Sequence, residues 1–166
     1  MRVLVWIAPG TWPAVVEAAR QRPADDELIL LAVADPADAD PLGPLGGLMG
    51  RARPTPERQA EALTRTQAEA LLDQARTVLG RPCRTTLATG RTERVVTAAA
   101  EDADWLILAR DGDRSRLGPH SLGRHARFVI DHAPCVVQLI WPEQAPDLAT
   151  IPPAPTGKPP RPPGRG

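Results

Sequence analysis

The sequence predicts an α/β fold: one doubly wound domain with a five-stranded parallel sheet, helices on both faces, and a disordered proline-rich C-terminal tail. The short runs Arg2 to Ile7, apolar from Val3 onward, Leu28 to Val33 and Trp105 to Ala109 have the pattern of strands buried on both faces. The stretches between strands repeat apolar residues at helical spacing. Strand and helix patterns alternate along the chain, and that order requires parallel strands joined by right-handed crossovers.

Each element follows from local chemistry. After the first strand, Thr11 is placed to cap a helix and Pro13 suits its first turn, while Trp12, Val15, Val16 and Ala19 form one apolar stripe that ends before Pro23. The second strand stops at Asp35-Pro36 because proline disfavours continuation. Residues 35 to 54 are rich in Pro, Gly and Asp, a connection long enough to be a functional flap or disordered. Thr55-Pro56-Glu57 opens the longest helix, which carries Leu63, Ala70, Leu71, Ala75 and Val78 until Gly80 and Pro82. Cys83 to Thr89 alternates Thr with apolar residues, as an exposed strand near a sheet edge does. Gly90 turns into a helix over Thr92 to Glu101. Asp102-Ala103-Asp104 precedes the fourth strand, and Arg110 to His120 is a loop. Ser121 to Asp131 is a helix, and Cys135 to Trp141 is the last strand. Beyond Trp141, nine of the last 25 residues are Pro and almost nothing is apolar, so residues 142–166 read as an extended or disordered tail beside a domain over 1–141.

A chain of 166 residues that is 42% hydrophobic supports one real core. Lys plus Arg and Asp plus Glu number 20 each, so net charge steers the protein toward neither nucleic acid nor a membrane surface. The longest apolar run, Leu28 to Ala34, falls far short of the roughly 20 residues a membrane span needs. The opening residues lack a signal-peptide core and cleavage site, and the expected location is the cytoplasm. Cys83 and Cys135 are too few for a disulfide framework and are not spaced as metal ligands; each is expected to be a buried, inert thiol.

In such a sheet, ligands bind outside the carboxyl ends of the strands, where helix N-termini and turn amides attract anions. Those ends are Ala8-Pro9-Gly10-Thr11, Val33-Ala34-Asp35 and Ala109-Arg110-Asp111-Gly112, joined by Leu122-Gly123-Arg124. The candidate binding residues are therefore Ala8, Gly10, Thr11, Val33, Ala109, Arg110, Gly112, Gly123 and Arg124. Residues 110 to 127 hold five arginines against Asp111 and Asp113, a formal excess of three positive charges. Arginine forks bind phosphate well, and Arg124 at a helix start adds charge beside the dipole. His120 and His125 are about 140° apart on a helix, too divergent to share a metal, and no nucleophile–base pair is evident; no catalytic or metal residue is assigned.

The run Asp102 to Gly112, followed by Leu122-Gly123-Arg124 and His132-Ala133-Pro134-Cys135-Val136-Val137, resembles the C-terminal half of universal stress proteins of the UspA-like family. Gly90-Arg91-Thr92-Glu93 is similar to the family's turn before its third helix. The resemblance implies strand order 3-2-1-4-5, a homodimer paired through the last strand, and an ATP or other adenine-nucleotide site. Strand order 3-2-1-4-5 would put Cys83 and Cys135 on opposite edges, unable to form a disulfide. Nucleotide-binding members use a glycine, two residues, a second glycine, nine residues and a Gly-Ser or Gly-Thr to cradle phosphates. Here Ala109 stands at the first glycine and Gly112 at the second. Ten residues precede Gly123, and Arg124 replaces the hydroxyl residue. Ala8 stands where the family places an aspartate. A lost charged hydrogen bond costs roughly 1.5–3 kcal/mol, about ten- to over a hundredfold in affinity, so any nucleotide binding is expected to be weak.

The resulting expectation is a divergent, non-enzymatic stress-response or regulatory protein that binds an adenine nucleotide or other phosphorylated ligand weakly. Two alternatives stand beside it. One is an interaction module acting through the tail, where Pro159-Pro160-Arg161-Pro162-Pro163 suits polyproline recognition. The other is a nucleotide-dependent enzyme of the same fold class, disfavoured because Ala8-Pro9-Gly10-Thr11 offers no paired-His or pyrophosphate-loop motif.

Overall fold

The structure is a computed structural model that describes residues 1–38 and 56–153, with the side chains of the longest helix described from Thr64 onward. Five strands, β1 (Arg2–Trp6), β2 (Glu27–Ala34), β3 (Arg84–Thr89), β4 (Trp105–Ala109) and β5 (Val136–Ile140), form one parallel sheet in the order β3-β2-β1-β4-β5. Among the described residues the α-helices are α1 (Trp12–Arg20), α2 (Pro56–Leu79), α3 (Thr92–Ala99) and α4 (Arg124–His132). The α/β class, the strand order and the helices on both faces all match the sequence reading.

Alternation along the central strands divides the core in two. Val3, Val5 and Ile7 of β1 and its extension point to the face covered by α1 through Val15, Val16 and Ala19 and by α2 through Leu72, Ala75 and Leu79. Leu4, Trp6, Leu106 and Leu108 point to the other face, covered by Val96 of α3 and by Ala126 and Val129 of α4. Residues buried on both faces explain the unbroken apolar runs. The edge strand β3 is the exception, with Arg84, Thr85, Thr86 and Thr89 exposed. Gln138, the polar interruption in β5, accepts a hydrogen bond from the Trp105 indole Nε1 at 3.0 Å, so its side-chain oxygen has a partner at the sheet's other edge.

The sequence reading needs correction at five places. Thr11 precedes α1 and is buried, but its hydroxyl makes no capping bond; the Ala8 carbonyl takes the Trp12 amide instead, at 3.1 Å. Helix α4 starts at Arg124 rather than Ser121. The Ser121 carbonyl accepts from the Gly112 amide (3.0 Å) and the His120 carbonyl from the Asp113 amide (2.8 Å), which commits both residues to pairing with the loop. Helix α3 ends at Ala99, and residues 100–102 tighten into a 3-10 turn. The tail begins later than Trp141: residues 142–153 pack back on the loop after β4. Arg114 pairs with Glu143 at 3.3 Å, and the Leu117 amide donates to Thr150 Oγ1 at 3.0 Å. Cys83 and Cys135 are both free and half-buried rather than buried, and burial pushes both thiols above their ordinary range. The expected helix cap at Thr55, the connection over 39–55 and the polyproline segment at 159–163 lie outside the described residues.

Candidate functional site

The strand order reverses between β1 and β4, which are paired through Val3–Trp105, Leu4–Leu106 and Val5–Ile107. The crevice beyond their carboxyl ends is the place where such sheets bind ligands. Ala8 and Gly10 leave β1 there, and Gly10 takes φ +76°, a left-handed turn that suits glycine. Thr11 follows at the start of α1. Val33, near the end of β2, packs with the α3/α4 core and is half-buried. Ala109 ends β4, buried among the α1/α2 core. Ala8, Gly10, Thr11, Ala109 and Gly112 thus lie at or just past the carboxyl ends of the paired strands β1 and β4, with Val33 on the neighbouring strand β2.

The loop from Arg110 to Gly123 follows β4 and leads into α4. Gly112 is sterically compelled: a Cβ there would drive into the His120 carbonyl oxygen and lie 2.9 Å from the carbonyl carbons of Ser121 and Leu122. This close approach zips residues 112–113 against 120–121 and brings Asp111 opposite Gly123. The Gly123 amide, at the N-terminus of α4, donates to Asp111 Oδ1 at 2.7 Å. A Cβ on Gly123 would stand 2.8–3.0 Å from the carboxylate atoms of Asp111.

The arginines counted in the sequence each have a partner within the chain, although among the described residues the buried Nε of Arg110 has no hydrogen-bond partner. Arg110 stacks over Trp141 at 4.6 Å and donates to the buried Ser121 hydroxyl, which in turn donates to the Gly118 carbonyl. Arg114 pairs with Glu143, and Arg116 pairs with Asp113 at 3.2 Å. Arg127 donates to the Pro119 carbonyl at 2.6 Å, and Arg124 Nε to His125 Nε2 at 3.2 Å. Arg124, the one at the mouth of α4, is exposed. The charge excess is real, but it is spent largely on the loop's own architecture. Hydrogen bonds from the Ser115 hydroxyl and amide hold the Asp113 carboxyl below its ordinary range.

Three acidic roles escaped the sequence reading. Asp35, just past β2, is buried and takes the Thr92 amide (2.8 Å), the Thr92 hydroxyl (3.2 Å) and the Ala37 amide (3.0 Å), so it caps α3 from a different element. Burial opposes its ionisation, but these bonds outweigh that cost and hold its carboxyl below the usual range. Glu93 of α3 meets His125 Nδ1 of α4 at 2.8 Å, tying the two helices together beside the crevice; its own amide, with His125, lowers its carboxyl. Asp111 on Gly123 is the third. An aspartate one or two residues past a buried strand was the available signal for Asp35 and Asp111. The histidines do not converge: His125 is held by Glu93, whereas His132 Nδ1 lies 2.8 Å from the Phe128 carbonyl. Among the described residues no cluster of metal-ligating side chains forms, and no helix is long and apolar enough to cross a membrane.

Comparison with known proteins agrees with this architecture. No curated protein matches the sequence significantly. Among solved structures, the chain is similar to a universal stress protein in complex with cAMP (16% identity, TM-score 0.59, covering 86% of this chain and 98% of the other). It is similar to universal stress protein UspA from Lactobacillus plantarum (19%, TM-score 0.55, covering 84% and 97%). A universal stress protein family protein from Arabidopsis thaliana with AMP bound is also similar (18%, TM-score 0.51, covering 92% and 95%). At these identities the likeness speaks for the fold. The model of the universal stress protein family matches residues 1–140, and the chain belongs to that family.

Proposed function

We propose that the protein is a non-catalytic stress-response regulator of the cytoplasm whose crevice binds an adenine nucleotide weakly. The observation that carries this reading is the pair Gly112 and Gly123: close backbone approach at Gly112 zips up the loop after β4, and the Gly123 amide at the N-terminus of α4 already holds an anionic group, the Asp111 carboxylate. Similar structures hold cAMP and AMP. Weakness follows from Ala8, which offers no polar side chain to a ribose or base, and from arginines already engaged within the chain.

We propose further that two copies pair through β5. Its outer edge has unpaired backbone groups, and Val136 is 50% exposed, a combination that favours strand pairing. Val136→Lys is then expected to shift the protein toward monomer in sedimentation, and an unchanged mass would remove this interface.

Calorimetric titration with ATP, ADP and AMP in the presence of magnesium tests the nucleotide reading. Binding weaker than about 10 μM, further weakened by Arg124→Glu, supports it. No heat at millimolar nucleotide for any of the three would overturn it.

A further inference from the structure

We propose that Asp111 sets the crevice against phosphate-bearing ligands: its carboxylate occupies the start of α4 as an internal anion, and residues 142–153 strap down the loop that carries it. This deepens the nucleotide reading above and rests on it for the location of the anion site.

The α4 N-terminus presents amides and a positive dipole end, which any anion would satisfy. Here the chain supplies its own: Asp111 Oδ1 sits 2.7 Å from the Gly123 amide. A phosphate entering the same place would find that amide taken and a like charge beside it. The aspartate is displaceable. It is exposed, and among the described residues the Gly123 amide is its hydrogen-bond partner, whereas Asp35 is buried and triply bonded at α3.

Its position is imposed by the loop. The pairing of 112–113 with 120–121 fixes the base of the loop, and residues 114–118 at its tip meet the C-terminal strap. Glu143 holds Arg114 at 3.3 Å, and Thr150 accepts from the Leu117 amide at 3.0 Å. Thr150 also donates to the Asp147 carbonyl, and Asp147 in turn accepts from the Ala149 amide at 2.7 Å, so the strap is itself an ordered turn. Gly118, at φ +122°, lies against Pro152. The root of the strap, Trp141, stacks on Arg110. The loop carrying Asp111 is thus clamped at both ends, and the strap is the part of the clamp that is removable without touching the crevice.

The test titrates inorganic phosphate and AMP into the full chain, wild type against Asp111→Ala, Asp111→Asn and the double variant Glu143→Ala/Thr150→Val, with folding checked by circular dichroism. The expected result is phosphate affinity at least about tenfold higher in Asp111→Ala, a smaller gain in Asp111→Asn, and a gain in the strap variant. Folded Asp111→Ala that binds phosphate no better than wild type overturns the proposal; AMP binding by wild type in that case leaves the nucleotide reading standing. A phosphate gain without AMP binding in any variant keeps the internal anion and removes the nucleotide reading. Should Asp111→Ala fail to fold, the absence of any gain in Asp111→Asn overturns the proposal. An unchanged strap variant beside a responsive Asp111→Ala removes the strap from it.

Discussion

Two helices, α3 and α4, each have an aspartate from another segment at their start, yet the two contacts are built differently. At α3, Asp35 is buried, reaches across from the end of β2, and takes two amides and a hydroxyl. At α4, Asp111 is exposed and takes one amide, from a loop held in place by glycine and by a C-terminal strap. The same chemistry is a permanent joint in one place and an exchangeable contact in the other. Burial makes the difference, because an amide stripped of its partner in the core has no water to turn to.

The comparison is broken most forcefully at the loop itself. Gly112→Ala puts a Cβ into backbone that cannot yield cheaply, and we expect a loss of about 3 kcal/mol in denaturant unfolding, in the range of overpacked interiors. Asp35→Ala should cost about 2 kcal/mol by the same measurement, since the Thr92 amide is left buried without a partner. Asp111→Ala should cost less than about 1 kcal/mol, as water replaces an exposed carboxylate. Equal losses at Asp35 and Asp111 would erase the distinction.

Acid sharpens it. The Asp35 carboxyl is lowered in the folded state, so its contribution is complete above the unfolded value of about 3.9 and fades as the pH falls through the lower folded value. The wild-type unfolding free energy should therefore drop more steeply than that of Asp35→Asn below about pH 4, and parallel profiles would contradict the assignment.

How much of this was legible in the sequence depended on whether the information was local. Trp105 to Ala109 announced a buried strand because both its faces are apolar, and Gln138 was visible as the one polar residue in β5. The start of α4 was misplaced because Ser121 looks like a helix cap, and only the fold reveals that its carbonyl is claimed by Gly112 nine residues earlier in the chain. Asp35 and Asp111 were noted as strand ends, but their partners Thr92 and Gly123 are 57 and 12 residues away. The five arginines were countable, yet their engagement with Glu143, Trp141 and loop carbonyls required three dimensions. The strap was hidden by composition: proline suggested disorder, while Asp147 and Thr150 supply the local bonds that order its start.

The most direct measurement follows the backbone amides of Thr92 and Gly123 by nuclear magnetic resonance while AMP is added. The account predicts that the Gly123 resonance moves progressively as the nucleotide phosphate competes with Asp111, while the Thr92 resonance stays with Asp35. A shift at Thr92 with Gly123 unmoved would contradict it, placing the anion at α3 and leaving Asp111 as an ordinary surface cap.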